Sequence, residues 1–207
     1  MGGEVLRRSG YRAVPWKNGG GTTREVASGT VQEPPVLGEH EGGCDWRVSV
    51  ADVDAEGPFS VFPETDRVIT CVEGEGMVLT VDGAARAVGP LSPFAFPGDA
   101  ATDCRLKAGA VRNLNVMTRR GRATAHVRLV TVGAAQGTEL PYTAGETLLV
   151  LAVTEGIAAA TEGVAAATPG GQGTALGRLD CVRHEGPGPL TLRGDGAVAE
   201  IRIAAVR

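Results

Sequence analysis

Hydrophobic and polar residues alternate along much of the chain with the period of two that is typical of β-strands. From residue 46 to residue 51, Trp, Val and Val alternate with Arg, Ser and Ala, which predicts a strand with one buried face. Apolar runs at residues 68–72 and 77–81 flank a Glu-Gly-Glu-Gly segment, so we expect a hairpin there. Three further strands are predicted at residues 127–132, 148–153 and 198–203.

Helical patterns are weak in comparison. The most helix-like segment, residues 157–167, is rich in Ala but contains Thr161 and Gly163 and is followed by Thr-Pro, which favours strand and turn. The chain has 31 Gly and 12 Pro among 207 residues, and such a share of turn-forming residues is typical of many short strands. The sequence therefore predicts an all-β fold.

One segment of the chain repeats 80 residues later. Its frame is an acidic residue and Gly, five residues, and again an acidic residue and Gly, found at Glu75-Gly76 with Asp82-Gly83 and at Glu155-Gly156 with Glu162-Gly163. Self-similarity at a fixed spacing indicates an internal duplication. The simplest architecture is two fused β-barrels, at residues 1–133 and 134–207. Both Trp and all four Phe fall in the first half, so a binding site is expected there.

The charge balance and the apolar runs exclude some partners. Lys and Arg number 20 against 24 Asp and Glu, a net charge of −4, so no basic surface for nucleic acid is expected. The apolar runs are far shorter than the roughly 20 residues that span a membrane. No secretory signal is recognised at the N-terminus either, so we expect a cytoplasmic protein with no membrane partner.

Metal ligands are sparse. The three His residues are widely separated, and the four Cys residues form no Cys-x-x-Cys pair, which argues against a zinc site or a disulfide framework. The glycine spacing from Gly57 to Gly76 matches that of a first cupin motif, but Pro63 and Thr65 stand where that motif carries His-x-His. We therefore expect no bound metal and no cofactor.

A glycine-rich segment is the first candidate for ligand binding. Successive N–H groups in such a segment can form a nest for an anion, and here the polar residues around it are Lys17, Asn18, Thr22 and Arg24. The alternative interpretation is an ordinary glycine turn between two strands.

The predicted strand at residues 46–51 carries the second candidate cluster. Arg47 and Ser49 share one face of this strand, and Asp52 follows it. An Arg side chain can hold a carboxylate through two parallel hydrogen bonds. The alternative is a solvated face with a local ion pair.

Aromatic and acidic residues complete the expected pocket. Phe59, Phe62 and Phe96 would form its apolar walls, although Phe is most often a core residue. A general base for catalysis would need a carboxylate whose pKa is raised by burial. The candidates for that role are Glu25, Asp52 and Asp66.

The sequence resembles the HutD/Ves family in four segments: residues 15–25 (Pro-Trp-Lys-Asn-Gly-Gly-Gly-Thr-Thr-Arg-Glu), 46–63 with Asp66-Arg67, 96–99 and 114–117. The resemblance covers about residues 11–132. It implies a bicupin, two fused β-barrels without the usual cupin metal. Members of the family often accompany histidine-utilisation genes, and binding of N-formylglutamate or urocanate, intermediates of histidine breakdown, has been considered for them.

These observations lead to one main hypothesis and two alternatives. The main hypothesis is that the first half binds a small anionic metabolite through Lys17, Arg24 and Arg47, so that the protein regulates the catabolism of histidine or a related amino acid. The first alternative is a metal-independent enzyme, an isomerase or hydrolase of a small carboxylic acid. The second is a scaffold without a ligand. A homodimer is expected by analogy, because many cupins pair through strands.

Overall fold

The described part of the chain consists of β-strands and connecting turns and contains no α-helix. The computed structural model describes residues 3–16, 19–31, 43–134, 137–160 and 173–206. All six strands predicted from the alternation of apolar residues occur, and the predicted all-β fold is confirmed. Within these ranges, no helix has the length and hydrophobicity needed to cross a membrane.

The strands are named here in chain order. They are β1 (Glu4–Leu6), β2 (Arg12–Pro15), β3 (Gly21–Gly29), β4 (Trp46–Val53), β5 (Gly57–Pro58), β6 (Thr65–Glu73), β7 (Met77–Val81), β8 (Ala84–Val88), β9 (Phe94–Pro97), β10 (Thr102–Leu106), β11 (Val111–Arg119), β12 (Ala123–Val132), β13 (Thr138–Leu140), β14 (Glu146–Ala152), β15 (Ile157–Ala160), β16 (Thr174–Leu176), β17 (Cys181–His184), β18 (Leu190–Gly194) and β19 (Gly196–Ala205). One 3-10 turn spans Arg8–Gly10.

The chain divides into two compact units. The N-terminal unit comprises Tyr11–Ala125 and Ala205–Arg207, and the C-terminal unit comprises Met1–Gly10 and His126–Ala204. The sequence predicts a domain boundary between residues 133 and 134. The contacts divide the chain between Ala125 and His126, inside β12. Strand β1 belongs to the C-terminal unit because it pairs with β17.

Each unit holds two separate antiparallel sheets rather than one closed barrel. The N-terminal unit has a six-stranded sheet, β2-β3-β4-β11-β6-β9, and a four-stranded sheet, β5-β10-β7-β8. The C-terminal unit has a five-stranded sheet, β1-β17-β14-β19-β12, and a four-stranded sheet, β13-β18-β15-β16. A sheet that buries one face against another sheet is a stable way to form a core.

The strand order supports the internal duplication. Adding eight to each strand number turns β5-β10-β7-β8 into β13-β18-β15-β16, and β9-β6-β11-β4 into β17-β14-β19-β12. The predicted repeat coincides with one of these matches, because β7 follows Gly76 and β15 follows Gly156, both in the left-handed region with φ of 92° and 84°. The second half of the later repeat, Glu162-Gly163, lies outside the described residues.

The two sheets of the N-terminal unit enclose one hydrophobic core. Its buried residues come from both sheets: Val53, Ile69, Cys71, Met77, Leu79, Val88, Phe96, Cys104 and Val111. The face of the six-stranded sheet that carries Val53, Ile69 and Cys71 therefore points into the unit, and we call it the inner face. Because side chains alternate along a strand, every second residue of β4, β6 and β11 belongs to this face.

The glycine-rich segment closes the β2–β3 hairpin. The Trp16 N–H donates to the Gly21 carbonyl at 2.9 Å, and the Gly19 N–H donates to the Trp16 carbonyl at 3.0 Å. A Cβ atom on Gly21 would clash with the Asp52 carbonyl oxygen and would lie 3.2 Å from the Trp16 ring. Close approach of the backbone therefore explains this glycine.

We expect Gly21→Ala to lower the free energy of unfolding by about 1–3 kcal/mol, because the added methyl group must push β3 away from β4. Urea unfolding at pH 7 measures this effect. Gly89→Ala is the matched control, since a Cβ at Gly89 meets no atom within 4 Å, and it should change stability by less than about 0.5 kcal/mol. Equal stability of the two variants would contradict the steric explanation.

An ion network connects three strands on the face opposite the inner one. The Asp52 carboxylate of β4 accepts hydrogen bonds from Arg24 of β3 and from Arg112 of β11, the latter at 2.5 Å. Arg112 also donates to Glu73 at 2.6 Å. Burial alone would raise the pKa of Asp52, but the hydrogen bonds and charges of the two arginines outweigh it and hold this pKa below its ordinary value of 3.8. The network therefore stabilises the sheet while Asp52 is ionised.

We expect Asp52→Asn to lower the free energy of unfolding by about 1–2 kcal/mol at pH 7, because two charged hydrogen bonds lose their anion. The fold lowers the pKa of Asp52, so its stabilisation is complete above the unfolded-state value and is lost as the pH falls through the folded-state value. The difference between the two proteins should therefore shrink below about pH 4. Urea unfolding over a pH series measures it.

Asp54→Asn is the control for this pH series. Asp54 is exposed and forms no ion pair with another described residue, so its variant should match the original protein across the whole pH range. A stability difference for Asp52→Asn that stays constant down to pH 2 would exclude the ion network as its cause.

Candidate functional site

A cavity of about 540 Å³ opens in the N-terminal unit where β3, β4, β6 and β11 come together. Its wall contains both charged and apolar side chains: Glu25, Ser28, Cys44, Asp45, Trp46, Arg47, Phe62, Pro63, Glu64, Thr65, Met117, Thr118 and Arg119. A cavity of this size accommodates a small metabolite. Its chemistry depends on which of the charged groups are already neutralised by the protein.

Two arginines of the inner face define the chemistry of the site. Arg47 of β4 and Arg67 of β6 both lie opposite Met117 of β11 in the strand register, so their side chains share one face. Arg47 lines the cavity, and its guanidinium carbon lies 5.8 Å from the centroid of the Phe62 ring. The Arg67 guanidinium carbon lies 5.2 Å from the same centroid. Phe62 therefore contacts both cations.

Arg67 is a buried cation that is packed against aromatic rings. Its residue is 7% exposed, and its guanidinium carbon lies 5.5 Å from the Phe59 centroid and 4.9 Å from the Phe96 centroid. Such cation–π contacts offset part of the cost of removing a charge from water. Its Nε and Nη2 donate to the Asn115 side-chain oxygen at 3.3 and 3.2 Å.

No carboxylate of the described residues neutralises these two arginines. Neither Arg47 nor Arg67 forms an ion pair with a described residue, and the buried Nη1 of Arg67 has no hydrogen-bond partner among them. Burial lowers the pKa of Arg67 to about 10, and the charge of Arg47 acts in the same direction. Arg67 therefore remains charged at neutral pH, at a cost of roughly 3 kcal/mol to folding.

Ser49 adds a second unused hydrogen-bonding group to the inner face. It lies on β4 opposite Asn115, and it is 1% exposed with no partner for its hydroxyl among the described residues. Buried polar groups in proteins are nearly always hydrogen-bonded. The inner face that carries Arg47 and Arg67 therefore holds two buried donors without a partner among the described residues, Arg67 Nη1 and the Ser49 hydroxyl.

Asp45 is a buried carboxylate of the cavity wall, and it is already neutralised. Arg122 donates to both of its oxygens, at 3.0 and 3.4 Å, and the Val31 N–H donates at 3.1 Å. Burial alone would raise the pKa of Asp45, but these hydrogen bonds and the Arg122 charge hold it below its ordinary value. Asp45 therefore holds the structure around the cavity together.

The structure brings together about half of the residues predicted for the site. Six of them lie on the inner face, in the cavity wall or against Arg67: Glu25, Arg47, Ser49, Phe59, Phe62 and Phe96. Three others lie on the opposite face, where the ion network of Asp52 is found: Thr22, Arg24 and Asp52. Lys17 and Asn18 lie outside the described residues.

The candidate bases occupy different environments. Asp66 is exposed and bonds to Arg120 at 3.0 Å, next to Asp99. The pKa of Asp52 is lowered, which is the wrong direction for a general base at neutral pH. Glu25 alone among the three lines the cavity, where its carboxylate accepts a hydrogen bond from the Ser28 hydroxyl at 3.0 Å.

Sequence reasoning missed Arg67, Asn115 and Met117 as site residues. The local pattern groups Arg67 with Asp66 as a charged pair, because the apolar run at residues 68–72 carries no alternation that separates the two faces of β6. One signal is present in the sequence. Arg67 directly precedes the apolar run at residues 68–72, and a strand that is apolar on both faces is usually buried. The contact with three Phe rings depends on tertiary structure alone.

The corresponding cluster of the C-terminal unit is neutralised internally. Glu200 of β19 is 0% exposed, and both Arg128 and Arg202 donate to it, Arg202 at 2.6 Å. Arg202 also bonds to Glu146 at 3.1 Å. Both arginines of this cluster therefore have an anionic partner within the unit. In neither unit do three His, Cys, Asp or Glu side chains of the described ranges come close enough to hold a metal.

Comparison with known proteins places the chain in a family. The family model HutD matches residues 8–200. A Pseudomonas putida protein described as an uncharacterized 21.2 kDa protein in the hutC 3′ region is 35% identical over 184 residues, which cover 88% of this chain and 87% of that protein. The structure of HutD from Pseudomonas fluorescens SBW25 is 33% identical with a TM-score of 0.75, and the match covers 99% of this chain and all of that one.

A much more distant structure shares the fold. YhhW from Escherichia coli is 7% identical and superposes with a TM-score of 0.64 over 99% of this chain and 97% of its own. The predicted bicupin architecture is confirmed, with two open cupin-like sandwiches in place of closed barrels. The family match, the identity to the Pseudomonas relatives and the shared architecture agree. The chain belongs to the HutD family.

Proposed function

We propose that the N-terminal unit binds a small carboxylate between Arg47 and Arg67. The observation that carries the proposal is the pair of guanidinium groups on one sheet face without a carboxylate partner among the described residues. A ligand carboxylate would accept from Arg67 Nη1 and from the Ser49 hydroxyl, the two buried donors that the fold leaves unused. Phe59, Phe62 and Phe96 would surround the apolar part of the ligand.

The biological role that we propose is regulation of amino-acid catabolism by ligand binding. One relative is named for its position in the hutC 3′ region. This position supports a carboxylate of histidine breakdown as the ligand. N-formylglutamate and urocanate are the two candidates, and each carries a carboxylate that matches the arginine pair.

An enzyme that acts without a metal on a small carboxylic acid is the second candidate. One observation favours it: Glu25 lines the same cavity as Arg47, so a carboxylate stands within the site as a potential base. Incubation of the protein with each acid, followed by mass spectrometry, separates the two functions. Turnover that disappears in Glu25→Gln would establish the enzyme, whereas binding without any product would support the regulator.

We expect Arg67→Met to weaken binding of the carboxylate by about 1.5–3 kcal/mol, the contribution of a hydrogen bond to a charged group. This corresponds to roughly a 10- to 150-fold increase in Kd. Calorimetric titration with N-formylglutamate and with urocanate measures it. Without ligand, the variant should melt at the same or a higher temperature, because the substitution removes a buried charge that has no anionic partner.

Arg86→Met is the control for the lost positive charge. Arg86 is exposed on β8 and lies outside the cavity, so this variant should keep the original affinity. A scaffold without a ligand would bind neither acid. Unchanged affinity in Arg67→Met, with clear binding by the original protein, would place the ligand elsewhere.

A further inference from the structure

A β-bulge in strand β3 directs two polar side chains into the cavity. In the register between β3 and β4, Glu25 lies opposite Ser49 and Ser28 lies opposite Arg47, with an irregularity between Glu25 and Ala27. Residues three apart on a regular strand point to opposite faces. The extra residue of the bulge puts both Glu25 and Ser28 on the inner face, which is how bulges redirect side chains at functional sites.

The Glu25 side chain is exposed, and its carboxylate is not neutralised. Ser28 donates to one of its oxygens at 3.0 Å, and Glu25 forms no ion pair with any described residue. It nevertheless lines the same cavity as Arg47. The fold thus keeps Glu25 and Arg47 in one cavity wall without pairing them, and Arg67 lies behind that wall against Phe62.

Cys44 lines the same cavity as Glu25 and Arg47. Burial raises the pKa of the Cys44 thiol; among the nearby charges, Arg47 lowers this pKa and Glu25 raises it. Glu25 pairs with Ser49 and Ser28 pairs with Arg47 on the neighbouring strand, so the arginine end and the carboxylate end belong to one cavity. A single small molecule can reach both ends.

From this arrangement we infer that the cavity selects carboxylates that carry an N–H donor at their other end, with Glu25 accepting that N–H. The inference rests on the proposed function, because Arg47 and Arg67 must first hold the ligand carboxylate. An amide, an ammonium or an imidazole N–H satisfies Glu25. A carboxylate without such a donor forms no hydrogen bond to Glu25, and a hydrogen bond to a charged group contributes about 1.5–3 kcal/mol.

Matched pairs of acids test the selection. Urocanate is compared with 3-(2-furyl)acrylate, whose ring has no N–H, and N-formylglutamate is compared with glutarate. We expect the N–H-bearing acid of at least one pair to bind the original protein about ten or more times more tightly than its mate, by calorimetric titration at pH 7. In Glu25→Met this ratio should fall below about three, while the affinity for the mate stays within about threefold.

Glu75→Met is the control variant, because Glu75 is an exposed acid in the turn before β7 and lies outside the cavity wall. It should keep the full ratio, which separates a direct contact from a general change of charge. Equal binding of both members of each pair by the original protein would overturn the inference and leave the proposed function standing. An unchanged affinity ratio in Glu25→Met would also overturn the inference and leave the proposed function standing. Binding of none of the four acids would remove the proposed function and the inference with it.

Discussion

A charged guanidinium group that is almost fully removed from water constrains the whole N-terminal unit. Arg67 keeps its charge at neutral pH, so the surroundings must compensate for lost hydration. Phe59, Phe62 and Phe96 supply ring faces, and Asn115 accepts two of its hydrogen bonds. What they do not supply is a negative charge. In the proposed function the remaining compensation comes from a ligand carboxylate, and this links the packing of the unit to ligand binding.

The two units differ in whether a carboxylate of the same unit neutralises the arginines of the inner face. Four strands of the larger sheet have the same order in both units, and both units place arginines on the inner face of that sheet. In the C-terminal unit, Glu200 neutralises Arg128 and Arg202, and the cluster is complete. In the N-terminal unit, the strand that corresponds to β19 carries Asn115, a neutral acceptor. In the proposed function, one copy of the duplicated fold serves stability and the other serves binding, and a bound ligand compensates the buried charge of Arg67.

Alternation and spacing were sufficient to predict six of the strands, the duplication and the position of Arg47 and Ser49 on one strand face. The same alternation places Asp52 on the other face, because Asp52 lies five positions after Arg47. The prediction of one pocket for both residues followed their charges and their closeness in the sequence instead. The bulge beside Glu25 could not be predicted, since nothing in the sequence of β3 marks where its register shifts. The role of Arg67 depends on rings from distant segments, which no local pattern reveals.

A crystal structure of the protein soaked or grown with urocanate or N-formylglutamate tests the central claim most directly. We expect a ligand carboxylate within hydrogen-bond distance of Arg67 Nη1 and the Ser49 hydroxyl, with Arg47 on its other side. Arg24 and Asp52 should remain paired with each other on the opposite face. A ligand bound at Arg24, or one bound in the C-terminal unit with the space beside Arg67 filled by water alone, would contradict the assignment of the buried guanidinium as the anion site.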